Sequence, residues 1–229
     1  MDKMYGYVND ALGLSQLGLD EETSKKIVLE VLDFVTQGLS SKPDVDTVLR
    51  RIKRFKPQVD ELVSAKLLEL IKRPTREQLE YIVYSGGRAA IAEVDRLYKL
   101  AKEYGREDLI ATLQYLWTKY GIRSPVQCPK CGFNSVMPDY SCLVCGAVVT
   151  EKYVRDALDF GNKLNIFVKT ASVGELRLAV ERGYVLLGED GVYHPLYRPP
   201  KPTVMFQVYL KSDEVALIVE EIEGRSQPI

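Results

Sequence analysis

The sequence predicts a mainly α-helical bundle over residues 1–121, a short cysteine-bearing segment over residues 122–150, and an α+β domain with a small, mainly antiparallel sheet over residues 151–229. Three observations predict this division. Apolar residues as far as Trp117 recur at helical spacing. All the cysteines of the chain lie between Cys128 and Cys145. Beyond residue 151 helix signals alternate with strand-like runs and an Asp190-Gly191 hairpin signal. With 229 residues, of which 46% are apolar and 28% charged, the chain is long enough to bury a core as one large domain or two small ones.

Residues 21–37 place Ile27, Val28, Val31, Leu32 and Val35 on one helical face, with Gly38 where a C-terminal cap stands. Residues 44–56 do the same with Val45, Val48, Leu49, Ile52 and Phe55, after a Pro43-Asp44 start. Pro57 restarts the chain, and Val59, Leu62, Val63, Leu67 and Leu70 mark the next helix. Thr75-Arg76-Glu77-Gln78 has the form of a capping box opening a short helix to Tyr84. Ser85-Gly86-Gly87 breaks the pattern and reads as an interhelix loop. Val94, Leu97, Tyr98 and Ala101 define a helix to Tyr104-Gly105, and Leu109, Leu113, Leu116 and Trp117 another to Tyr120-Gly121. The two Tyr-Gly endings are too close for a helical repeat and read as two similar C-caps. Short connections predict antiparallel neighbours.

In the last part, residues 151–163 read as a helix and Asn165–Lys169 as a strand. Ser172-Val173-Gly174-Glu175 is a second capping box, ahead of Leu176, Ala179 and Val180. Two strands, from Tyr184 to Leu187 and from Val192 onward, flank Glu189-Asp190-Gly191. Pro195, Pro199, Pro200 and Pro202 stiffen a loop, Thr203–Leu210 reads as a strand, and Ser212 caps a final helix to Glu223.

The cysteines form two C-x-x-C-G pairs, Cys128-Pro129-Lys130-Cys131-Gly132 and Cys142-Leu143-Val144-Cys145-Gly146. Two cysteines three apart reach one ion when the chain turns tightly, and a positive φ at the following glycine turns backbone amides toward the sulfurs. Four thiolates suit tetrahedral Zn2+ in a closed, structural site. Val126-Gln127, Phe133–Met137, Tyr140-Ser141 and Ala147–Thr150 are expected as short strands around it, with Pro138-Asp139 as a turn. The segment resembles a zinc ribbon, matching both knuckles of that family over residues 125–150 alone. The resemblance implies Zn2+ held by Cys128, Cys131, Cys142 and Cys145 but selects no function, since such ribbons occur in transcription, translation, replication and many enzymes. Rubredoxin-like iron binding uses the same knuckles with the pairs farther apart. A thioredoxin-type pair needs a helix after C-x-x-C, where here β-like sequence follows.

The net charge of −1 supplies no global attraction to nucleic acid or anionic lipid, so such binding has to come from a local patch. No apolar run reaches the length of a membrane span, and no signal-type stretch follows Met1-Asp2-Lys3-Met4. A cytoplasmic protein with reduced thiols and no membrane partner is expected. Few Asn, Gln and His beside many Glu, Lys and Arg suggest a thermophile.

Arg50, Arg51, Lys53, Arg54 and Lys56 crowd one helix and form a candidate nucleic-acid face; Lys130, at the loop tip between Cys128 and Cys131, joins them, with Asn134 and Tyr140 nearby. The same run also fits a solvated face neutralised by Asp44, Asp46, Asp60 and Glu61. Gly86-Gly87-Arg88 lacks the spacing of a phosphate loop. His194 stands alone at a hairpin edge, and Tyr197, Arg198 and Lys201 sit in a proline-rich spacer. Helix 172–183 with the hairpin after it resembles the closing half of a winged helix, although Ile166–Lys169 lies too near Ser172 to leave room for the usual preceding helix. No G-x-S-x-G, H-E-x-x-H or G-x-G-x-x-G motif occurs. The leading expectation is a non-enzymatic zinc protein that binds DNA, RNA or a nucleoprotein complex. The alternatives are a protein-interaction scaffold with purely structural zinc, and an enzyme with its site between the helical and α+β parts.

Overall fold

A computed structural model describes the backbone of residues 2–39, 43–122, 124–188, 191–196, 207–211 and 214–218, and side chains between residues 3 and 196. The chain is mainly helical with small antiparallel hairpins, and it divides into two compact units, Met1–Gly121 and Ile122–Ile229. Among the described residues no helix is long and apolar enough to cross a membrane.

The first unit contains α1 (Asp2–Ala11), a 3-10 turn (Leu14–Leu17), α2 (Glu21–Thr36), α3 (Val45–Arg54), α4 (Lys56–Leu70), α5 (Arg76–Ser85), α6 (Gly87–Ala92), α7 (Val94–Glu103) and α8 (Glu107–Tyr120). The sequence pattern left α1 and the 3-10 turn unread, because Val8, Leu12, Leu14 and Leu17 are buried but too sparse to set a period. The helices start where side chains satisfy free amides. Asp20 accepts from Thr23 N, Asp44 from Thr47 N, and Thr75 and Gln78 complete a reciprocal capping box. Gln78 also donates through Nε2 to the Leu17 carbonyl at 2.9 Å, so one buried side chain caps α5 and fixes the 3-10 turn. Ile27, Val31, Val63, Leu67, Leu79, Ile82, Leu97, Leu109 and Leu113 fill the core, each worth roughly 1.5–3 kcal/mol of transfer free energy.

Two details differ from the pattern. Gly86 and Gly87 do not form a loop. Gly86 ends α5, and Gly87 opens the short α6 at once, because Gly86 N still donates to the Ile82 carbonyl at 2.8 Å. The two Tyr-Gly endings are also unlike each other. Gly105 adopts φ +66, the left-handed cap expected. Gly121 is extended at φ −79, and its missing side chain leaves room for the Trp117 ring, which a Cβ would meet at 2.4 Å.

The second unit starts with the cysteine segment, in which Val136↔Cys142 and Ser141↔Val148 are isolated antiparallel bridges in place of the short strands expected. Next come α9 (Glu151–Thr170), α10 (Val173–Glu181), a hairpin of β1 (Val185–Leu187) with β2 (Tyr193–Pro195), and a second hairpin of β3 (Gln207–Lys211) with β4 (Glu214–Ile218). In the first hairpin Leu186 pairs with His194; in the second Tyr209 pairs with Ala216.

The Asn165–Lys169 strand expectation is corrected. These residues continue α9, since Phe160, Leu164 and Phe167 stay in phase on one buried face against Leu176, Ala179, Tyr184 and Val185. The Ser172 capping box opens α10 as expected. The final helix is corrected as well: residues 214–218 form a strand, because a two-residue connection from β3 makes local antiparallel pairing of this apolar run available. Ser212, the Glu189-Asp190 part of the first turn, Tyr197, Arg198, Pro199, Pro200, Lys201 and Pro202, and the reading of residues 219–223 all lie outside the described residues.

Candidate metal centre and cationic helix

The cysteine segment is folded by its own backbone. Cys128 N donates to Phe133 O at 2.8 Å and Gly132 N to Cys128 O at 2.9 Å; in the second knuckle Cys142 N donates to Ala147 O at 2.8 Å and Gly146 N to Cys142 O at 2.9 Å. Gly132 (φ +77) and Gly146 (φ +68) both take the left-handed conformation that the knuckle requires. Met137 N donates to Ser141 O at 2.8 Å, and Asp139 accepts from Ser141 N, closing the turn between the knuckles.

These bonds bring the four sulfurs within 4.8 Å of one another. Cys128 Sγ lies 3.7 Å from Cys145 Sγ, and Cys131 Sγ lies 3.6 Å from Cys142 Sγ. A disulfide needs about 2.05 Å, so none is formed. A tetrahedron of sulfurs about 2.3 Å from a zinc ion has edges of about 3.8 Å, so the spacing fits a tetrathiolate ion site. Cys128, Cys131 and Cys142 are buried, and Cys145 is half-exposed.

The electrostatics are uneven. Burial raises the Cys128 thiol above its ordinary value. The hydrogen bond to Cys142, with burial behind it, raises Cys131. The same contact lowers Cys142 to about 4, with help from the Ser135 hydroxyl and the amides of Cys145 and Val144. Ser135 and Tyr153, whose hydroxyl reaches the Gln127 carbonyl, both support this segment, and no sequence motif singled them out.

The cationic helix is split at Phe55. Lys56 opens α4 and pairs with Asp60. Arg51 donates to the Gln37 carbonyl at 3.2 Å, at the end of α2, and lies over the Phe55 ring with Arg54. Arg50 bonds within its own helix, to Asp46 O and Thr47 Oγ1. Arg50, Lys53 and Arg54 are exposed at i, i+3 and i+4, on one face of α3. Among the described residues none of the three lies within 4.0 Å of a carboxylate, although Asp44, which caps the helix, is in electrostatic reach of Arg50. Lys130 is exposed beside Cys131, Asn134 and Tyr140 are half-buried, and His194 is exposed in β2.

A groove between α2 and α4 is lined by Lys26, Leu29, Glu30, Asp33, Lys66 and Glu69. Its central cation is satisfied, with Lys66 contacting Glu69 at 2.9 Å and Glu30 at 3.6 Å. No protein-family description matches this chain. No curated protein and no solved structure matches it either.

Proposed function

We propose that this is a non-enzymatic zinc-ribbon protein that binds nucleic acid through the Arg50, Lys53 and Arg54 face of α3. The observation that carries the reading is the exposure of these three cations on one helical face without a carboxylate in ion-pairing reach among the described residues. Phosphates would pair with these cations and release condensed ions as they do so. Zn2+ has a structural role here, because four thiolates fill its coordination and leave no position for substrate or water. The residues that would hold it are Cys128, Cys131, Cys142 and Cys145.

The test is a salt series with short duplex DNA, single-stranded DNA and RNA. Binding that weakens with salt and is lost on joint reversal of Arg50, Lys53 and Arg54 to Glu supports the reading. The reversal should lower affinity evenly across sequences and flatten the salt dependence by about one contact per cation. Absence of binding at low ionic strength removes it. A second reading, docking of a protein through the first hairpin, draws on Leu186, Leu187 and Val192, which are exposed by about half. A partner retained after nuclease treatment and released by Leu187→Lys would favour that reading.

A further inference from the structure

We propose that Ser135 is a positioning residue of the metal centre, its hydroxyl donating to the Cys142 thiolate and thereby strengthening retention of the ion. This rests on the tetrathiolate reading above. Ser135 is fully buried, and its Oγ lies 3.1 Å from Cys142 Sγ. The competing acceptor is the Phe133 carbonyl, 3.4 Å from the same Oγ. That carbonyl already accepts from Cys128 N at 2.8 Å and from Ser135 N at 2.9 Å, which uses both of its lone pairs. The Ser135 proton therefore goes to sulfur.

The direction is fixed once metal is bound, because a thiolate ligand carries no proton and the serine is then the donor. The backbone holds the pair in place. Leu143 N donates to Ser135 O at 3.0 Å, and Val136 bridges Cys142, so the two residues keep their spacing without help from the hydroxyl. Cys142 Sγ also accepts from Cys145 N at 3.4 Å. Zinc with four thiolates is a net anion, and burial makes that charge costly. A hydroxyl aimed at one sulfur disperses part of it and orients the ligand.

Removing such a contact weakens metal binding by about 10-fold or more. The experiment compares wild-type protein with Ser135→Ala and Ser135→Thr. Chelator competition should show wild type taking up a single zinc, Ser135→Ala taking up the same amount about 10-fold more weakly, and Ser135→Thr recovering affinity through its hydroxyl. In cobalt-loaded samples the sulfur-to-metal charge-transfer band should move to lower energy in Ser135→Ala, a change that lost packing alone does not cause. Wild type and Ser135→Ala identical in affinity and spectrum would overturn the role of Ser135 and leave the metal site standing. Wild-type protein that takes up no metal would overturn both. If Ser135→Ala does not fold, wild-type protein loaded with NMR-active cadmium decides. A slowly exchanging Ser135 hydroxyl proton coupled to the metal supports the proposal, and a freely exchanging, uncoupled one sinks it.

Discussion

The hydroxyl of Tyr153 donates to the backbone carbonyl of Gln127 at 2.8 Å, which ties the first turn of α9 to the residue before Cys128. Thr150 caps the same helix by accepting from Tyr153 N at 3.1 Å, so one turn of helix anchors both ends of the cysteine segment. Tyr153→Phe keeps the ring and removes one hydrogen bond, a loss of about 1 kcal/mol. Zinc should leave the variant several-fold faster when excess chelator is added. A release rate equal to wild type would show that this tie does not reach the metal site.

Metal affinity should rise with pH. Burial of Cys128 and the Cys142 contact to Cys131 hold both thiols above their ordinary values, so both are protonated at neutral pH in the metal-free chain. The hydrogen bond from Cys131 lowers the Cys142 thiol below its ordinary value. The metal must displace the protons on these thiols, so affinity falls as pH falls, by about 10-fold per unit for each proton displaced. Calorimetry in buffers of different ionisation enthalpy counts them. Affinity that stays flat from about pH 6 to about pH 8 would contradict this assignment.

The two Tyr-Gly helix ends should respond differently to alanine. Gly105 has open space around it but a left-handed φ, so Gly105→Ala should cost about 1 kcal/mol and Gly105→Asn less. Gly121→Ala sets a Cβ against Trp117 and should cost about 1–3 kcal/mol through overpacking. Trp117 is the chain's single tryptophan, so its fluorescence should shift in Gly121→Ala and not in Gly105→Ala. Equal behaviour of the two would refute the distinction.

Continuity of α9 through residues 165–169 can be tested directly. Ile166 is 40% exposed in the helix, so Ile166→Pro removes a backbone donor and little packing. It should destabilise the second unit by about 3 kcal/mol, whereas Ile166→Ala should be nearly neutral. Leu164→Ala, at a fully buried position, should cost about 2–5 kcal/mol. Retention of wild-type helicity by Ile166→Pro would restore the strand reading.

Arg96 fastens the end of α4. Its guanidinium donates to the Leu68 carbonyl at 3.1 Å and also reaches the carbonyls of Ile71 and Lys72. Arg96→Met keeps the stem but leaves these carbonyls without the cation, and thermal unfolding should show a loss of about 2 kcal/mol. Arg96→Lys should recover only part of it, because one ammonium cannot span three carbonyls with the geometry of a fork.

What could be read from the sequence was local. The helices at Ile27–Val35 and Val59–Leu67 announced themselves because a 3.6-residue period is written in consecutive apolar positions. Asp44, Thr75 and Ser172 announced caps because the bond they make spans only three residues. The cysteine pairs announced a cluster that could hold a metal ion for the same reason: each knuckle is a tight turn specified by its own glycine. The misreadings came from short runs. Asn165–Lys169 and Glu214–Ile218 are apolar stretches of helix-or-strand ambiguity, and their state depends on which partner completes the hydrogen bonding and burial.

The sequence alone therefore determined the helical character of the first unit, its caps and the two tight cysteine turns, since all of these rest on contacts a few residues long. Tertiary structure alone decided that Phe167 belongs to α9, that Arg51 is spent on the Gln37 carbonyl while Lys53 stays exposed, and that the Ser135 hydroxyl faces Cys142. Those outcomes depend on residues brought together across turns and between helices, where burial and competition for lone pairs select one partner among several.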